Sequence, residues 1–280
     1  MPSGSIADRG QRGLEFIDKR IVFRGASWYE PTGAVILYDD FLGQVMNPDM
    51  WDVVSPQATA GTVFAVGLTA GGADAGHGGW LRGVTGTGDD DCEMVVGSLN
   101  FTTLNAIAGK KLVFETRLVA PVITTVCINA GLTDAITESA AGAIVNVNSS
   151  DAVTGIPTDT ISWVFDTDQT TDTFRGVAAL AGTYTTFAAS ANATAPPADD
   201  PFVLRIEADT SGAYFYMSRV PSGYSAGDGV GPLDYFGGVA APPAGTTPLA
   251  PYLAVTARAG TDNLALETDY IFCAAPRSIK

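Results

Sequence analysis

The 280-residue chain carries 15 Lys and Arg against 30 Asp and Glu, a formal charge of −15, with 32 glycines and only 16% charged residues. A chain of this length buries roughly 75% of the surface its unfolded form exposes, so it needs no covalent staples, and its apolar composition excludes wholesale disorder. The acidic balance argues against nucleic-acid and anionic-membrane binding by the body, which depend on clustered Lys and Arg, and it favours solubility.

Residues 1–34 stand apart from the remainder of the chain. Arg9, Arg12, Lys19, Arg20 and Arg24 place five of the fifteen basic residues there, and Trp28-Tyr29 precede the turn Glu30-Pro31-Thr32-Gly33. We read this segment as an extended N-terminal arm that docks on a partner subunit, basic side chains toward acidic surface. It contains no apolar signal core, and no run in the chain approaches the ~20 apolar residues of a membrane-spanning helix. The expectation is a protein made in a cytoplasm, with no membrane partner.

From residue 35 to 280 the pattern is β. Strand-like runs fall at 34–41, 52–54, 62–68, 79–84 and 93–99, separated by Gly- and Asp-rich turns. The stretch 111–135 is the clearest scaffold. Leu112, Phe114 and Thr116 alternate with Val113, Glu115 and Arg117, the period of two of a strand with one face toward a core. Pro121 interrupts the run, and residues 122–129 resume it. The two pieces read as successive strands of one sheet, with Glu115 and Arg117 as face residues and Thr133 as a candidate helix cap.

Further strands are expected at 143–148, 161–166, 174–179, 183–188, 202–209, 213–219, 249–257 and 263–274. In the hairpin of 202–219, Arg205 and Glu207 take the exposed face, and Asp209-Thr210-Ser211-Gly212 supplies the turn. Residues 221–248 read as a long Gly/Pro-rich loop bearing Tyr224, Tyr235 and Phe236, and a loop of that length in a compact domain is usually functional. Many short strands between turn residues predict an all-β fold: a single antiparallel jelly-roll β-sandwich with an extended N-terminal arm.

Chemistry is sparse. The single histidine, His77, sits in a Gly-rich loop without a nucleophile elbow nearby. Glu207-Ala208-Asp209 starts the alternation that a two-carboxylate glycosidase needs, then turns at Thr210 before a third acid appears. Asp166-Thr167-Asp168-Gln169-Thr170-Thr171-Asp172 is oxygen-rich but lacks the Gly and terminal Glu of a calcium loop, so Asp168 and Asp172 are read as setting a tight turn; Asp89-Asp90-Asp91 is likewise a charged turn. Cys92, Cys127 and Cys273, odd in number and without Cys-x-x-Cys, predict buried free thiols. No catalytic residue, metal site or cofactor is expected.

One further signal lies in the order of segments: Tyr38-Asp39-Asp40-Phe41-Leu42-Gly43 before Trp51, then Phe114-Glu115-Thr116-Arg117-Leu118 before Gly131-Leu132-Thr133-Asp134. The strand Ser162 to Asp166 follows, then Gly176-Val177-Ala178, Arg205-Ile206-Glu207 with Asp209 and Gly212, and a close at Asp269-Tyr270-Ile271. This order, over roughly 34–273, resembles tailed-bacteriophage virion proteins that are similar to concanavalin-type, laminin-G-like jelly rolls. The resemblance implies a capsid decoration (cement) protein or another component of the virion surface; the sparse chemistry of the residues, not the resemblance, predicts a chain that is not an enzyme. Its partner would be the major capsid protein, and it would form a homo-oligomer, a trimer by preference. The contact residues would be Arg9, Arg12, Lys19, Arg20, Arg24, Trp28, Tyr29, Tyr224, Tyr235 and Phe236. Two alternatives stand beside it. The first is a glycan-binding, lectin-like surface or fibre protein, with Trp80, Tyr224, Tyr235 and Phe236 at its rim; the second is a degenerate glycoside hydrolase.

Overall fold

The structure, a computed structural model, describes residues 34–41, 46–55, 62–66, 80–97, 111–136, 144–187, 198–219, 233–240, 247–259 and 264–276. Seventeen strands are assigned there: β1 Ala34–Asp39, β2 Trp51–Val54, β3 Thr62–Val66, β4 Leu81–Val84, β5 Cys92–Gly97, β6 Leu112–Val119, β7 Val126–Thr133, β8 Val145–Val147 and β9 Val153–Gly155. There follow β10 Thr160–Asp166, β11 Arg175–Leu180, β12 Thr183–Thr186, β13 Phe202–Asp209, β14 Gly212–Arg219, β15 Asp234–Val239, β16 Ala250–Ala257 and β17 Ala265–Pro276. The arm residues 1–33, His77 and Tyr224 lie outside the described residues.

Alternation organises these strands into two antiparallel sheets. Sheet I has eight strands in the order β15-β14-β13-β6-β17-β4-β3, with β1 also pairing β17; sheet II has seven, β12-β11-β10-β7-β16-β5-β2. Leu112, Phe114 and Leu118 of sheet I and Val126, Ile128, Ala130 and Leu132 of sheet II turn inward and share one core. The fold is the expected all-β sandwich.

Two local expectations are corrected. Strands β6 and β7 belong to different sheets: Pro121 marks the point where the chain crosses from sheet I to sheet II, and β7 starts only at Val126. Thr133 caps no helix. It ends β7 and accepts a hydrogen bond on Oγ1 from the Ala135 amide at 3.0 Å. A third difference lies in the segment read as loop, where residues 234–239 form β15 at the edge of sheet I.

Trp163 is the hub of the core. Its ring meets Phe174, Phe187, Phe215 and Phe236 edge-on, at 5.3–6.2 Å between centroids. Its Nε1 donates across the sandwich to the Arg205 carbonyl at 3.1 Å, which satisfies the indole where water cannot reach. Gly176 faces this cluster because any larger residue collides: a Cβ there would lie 2.2 Å from Phe187 and 2.5 Å from Phe215.

The inner strands of sheet II, β5, β7, β10 and β16, are buried on both faces. The outer side chains of this sheet, among them Cys92, Met94, Cys127, Val164 and Tyr252, form a second apolar cluster with Ile144, Val145 and Val147 of the β8 region. Asn129 holds β8 down as a strand partner would. Its Oδ1 accepts from the Val145 amide at 2.9 Å, and its Nδ2 donates to the Val145 carbonyl at 3.0 Å. Asp166 Oδ2 accepts from the Val147 amide at 2.8 Å. The three cysteines are buried and free, as expected.

Candidate functional site

The outer face of sheet I carries the densest set of polar and aromatic side chains. The register aligns one row straight across six strands: Tyr38, Phe272, Glu115, Arg205, Tyr216 and Tyr235. Strand alternation puts each of them opposite the core, since Phe114, Leu204, Ile206 and Phe215 beside them point inward.

Charge on this face is neutralised in place. Arg205 Nη1 donates to Glu115 Oε2 at 3.1 Å, while its Nε and Nη2 donate to Glu207 Oε1 at 3.0 and 2.7 Å. Tyr270 donates its hydroxyl to Glu115 Oε1 at 2.7 Å, and Lys111 reaches Glu207 Oε2 at 3.4 Å. Beside this network Arg117 pairs with Asp269 at 3.1 Å and lies over the Trp80 ring, 5.9 Å from its centroid. The sequence reading placed Arg205 and Glu207 on an exposed face and Glu115 on a face of its strand. In fact Arg205 is 2% exposed and Glu115 0%. Alternation gives the phase of a side chain, and it does not tell whether the outer phase is covered.

Aromatic rings take over toward the β15 edge. Tyr216 and Tyr235 stack at 5.5 Å with a 59° tilt, and Lys111 Nζ sits 4.2 Å above the Tyr214 ring. Burial and the neighbouring Glu207 push the Tyr216 hydroxyl above its ordinary pKa. Tyr235 is 59% exposed, whereas Phe236, one residue on, takes the opposite phase and packs against Trp163. Of the two β15 rings expected at a contact surface, Tyr235 alone is a surface ring. Tyr214 and Tyr216 were missed; their signal was the alternation of β14, with tyrosines on the phase opposite Phe215.

The acidic turns are structural. Asp166 is fully buried and takes two hydrogen bonds from Arg258, at 3.0 Å on Oδ1 and 2.6 Å on Oδ2, so this residue, rather than Asp168 or Asp172, anchors its turn by accepting from the Asp168 amide. Asp90 pairs with the same guanidinium at 2.6 Å, and Asp91 accepts from the Gly88 amide at 2.6 Å. Asp209 accepts from the amide and hydroxyl of Ser211, and these bonds hold its carboxyl below the usual range. It closes the β13–β14 turn, as the sequence indicated. Among the described residues no group of three or more His, Cys, Asp or Glu side chains is placed to hold a metal ion.

No family model matches the chain. No curated protein matches it. Solved structures of similar fold include a protein of unknown function from Shewanella oneidensis MR-1, at 11% identity and a TM-score of 0.51, with all of both chains covered. Peanut lectin with a nine-residue peptide matches at 10% identity and a TM-score of 0.52, over 88% of this chain and 99% of that one. Arcelin-5, a lectin-like defense protein from Phaseolus vulgaris, matches at 8% identity and a TM-score of 0.50, over 87% of this chain and 99% of that one. At such identities the likeness is one of architecture, and the chain has a lectin-like, concanavalin-type β-sandwich fold.

Proposed function

We propose that this chain is a non-catalytic surface protein of a tailed-phage virion, a capsid decoration (cement) component that binds the major capsid protein and acts as an oligomer. The supporting observation is the open edge at β15. Among the described strands β15 is paired on one side only, by β14, and within that set its other row of backbone N–H and C=O groups has no strand partner, the arrangement that strand addition by a partner uses. On the same sheet face, two and three strands in from that edge, the carboxylates of Glu207 and Glu115 are already engaged by Arg205 and Lys111, which suits recognition by shape and backbone better than acid–base chemistry. The basic residues of 1–33 and the aromatic residues of 221–248 are the contact candidates that the sequence adds to this reading. The test is to add purified protein to empty phage shells and image them. Ordered density at the shell's threefold positions is the expected result; protein that leaves the shells bare would sink the reading.

A second reading is favoured by the Tyr216–Tyr235 pair, because an exposed ring beside a second ring and a Lys–Glu pair is a stacking platform for a sugar. In that case the protein binds a glycan on the host surface. Binding on a glycan array should fall about tenfold or more in Tyr235→Ala, the loss of one stacked ring costing roughly 1–1.5 kcal/mol with its buried area added. An array without signal for the unaltered protein would remove this reading and leave the shell reading standing.

A further inference from the structure

Like charges placed directly opposite each other destabilise a pair of strands. Sheet II carries such a pair at the end of its β7–β10 ladder. Thr133 and Thr160 are the last residues in register, and one rung beyond them the Asp134 amide donates to the Asp159 carbonyl at 3.0 Å. Asp134 and Asp159 are therefore cross-strand neighbours. Alternation sends both side chains to the same side of the sheet, with Cβ atoms roughly 5 Å apart. The Thr158 hydroxyl lies between them: it donates to Asp134 Oδ2 and stands 3.4 Å from Asp159 Oδ2. Neither carboxylate is satisfied. Asp159 is 8% exposed and its Oδ1 is buried without a hydrogen-bond partner, and Asp134 Oδ1 is buried and unpartnered in the same way. A hydroxyl has a single hydrogen, and Thr158 gives it to Asp134, so Asp159 is left with no other donor among the described residues. The ion pairs of the described residues all lie elsewhere, and none neutralises either group.

We propose that Asp134 and Asp159 hold a calcium ion at this end of sheet II, with the Thr158 hydroxyl as a third, neutral oxygen. A buried carboxylate needs a hydrogen-bond donor or a counter-charge, and here neither comes from the described side chains. The donor set selects a hard cation, since every candidate atom is an oxygen. Calcium accepts irregular shells of about six to eight such ligands, whereas magnesium demands a near-ideal octahedron. Thr158 is exposed, so an ion enters past it and keeps water on its outer side. Two carboxylates make a weak site, with a dissociation constant of about 0.1–1 mM, the range of sites that respond to extracellular rather than cytosolic calcium. Bound there, the ion ties the end of β7 to the start of β10 and converts the repulsion of the pair into a cross-link. The site lies on sheet II, away from the Tyr216–Tyr235 pair and the β15 edge, so it is independent of what those surfaces bind.

The test is calorimetric titration of the full, chelator-stripped chain with calcium chloride, alongside thermal unfolding. The melting temperature should rise by roughly 2–8 °C in about 5 mM calcium, and excess chelator should reverse the rise. Asp159→Asn should bind calcium at least about tenfold more weakly. In chelator the same variant should melt no lower than the unaltered chain, because one of two opposed charges is gone. Asp134→Asn should behave alike, and it decides the matter where Asp159→Asn fails to fold. Absence of saturable binding up to about 10 mM calcium would overturn the proposal, since the expected range lies well below that. Unchanged affinity in both variants would overturn it too, by placing the ion elsewhere. A large loss of stability in chelator would do the same, by assigning the carboxylates a purely structural role.

Discussion

Arg258→Ala should lower the unfolding free energy by about 3–5 kcal/mol, the cost of leaving one member of a buried ion pair without its counter-charge. Asp166 is fully buried in the β10 row that faces β8, and the Arg258 side chain engages both of its oxygens while also holding Asp90. After truncation the Val147 and Asp168 amides remain, two neutral donors for a full charge. Denaturant titration of the variant measures the loss. The partner variant makes the cause specific: Asp166→Asn in the Arg258→Ala background should recover part of the stability, since it removes the stranded charge. A loss below about 1 kcal/mol, or simple additivity of the two changes, would show that the pair contributes little.

Glu93→Gln should stabilise the protein at alkaline pH and leave it nearly unchanged in acid. Glu93 lies on β5 between Cys92 and Met94 and takes the opposite phase, toward the sandwich interior. It is fully buried. Ser55 donates to its Oε1 at 2.7 Å, and Oε2 has no hydrogen-bond partner. Burial, reinforced by Asp91, pushes its pKa up to about 7 from 4.5 against the opposing Ser55 bond. The sign follows from proton linkage. The folded protein binds this proton more tightly than the unfolded chain, so stability is whole below pH 4.5 and falls as pH rises toward 7. The deficit is complete above that, at roughly 3 kcal/mol from 1.36 kcal/mol per unit. Gln imitates the protonated carboxyl and should flatten that decline. Parallel pH–stability curves for the two proteins would reject the assignment.

The strands were legible because most of them alternate or run continuously apolar between turn residues. The hairpin at β13 and β14 was read to within one residue, since Asp209 and Gly212 announce the turn on both sides. Strand β15 was hidden by Gly237 and Gly238, which read as loop; a Cβ on Gly237 would lie 2.7 Å from Phe187, so the glycine serves packing. Strand β9, three residues long, carries too little pattern to register. The sheet assignment of β6 and β7 failed because neighbouring strands usually pair, and only the path after Pro121 shows that these do not. The candidate site was half visible. Tyr235 stood out as an aromatic in a Gly/Pro-rich stretch, but its neighbour Tyr216 arrives through register. The partners Glu115 and Arg205 lie 90 residues apart, and Asp166 and Arg258 lie 92 apart, distances over which a sequence pattern says nothing.

The position of β17 has a consequence for how the molecule comes into being. This twelve-residue strand lies inside sheet I, with β6 on one side and both β4 and β1 on the other. Until it has been synthesised, β6, β4 and β1 each expose an edge that only β17 can occupy. The sheet therefore closes late, through a pairing that bridges more than 150 residues between Thr116 and Thr268. Contacts of such long sequence separation fold slowly, and open apolar edges in the meantime invite association between nascent chains. The strong net negative charge then serves the unfinished chain most, by keeping neighbouring copies apart while that edge is still bare.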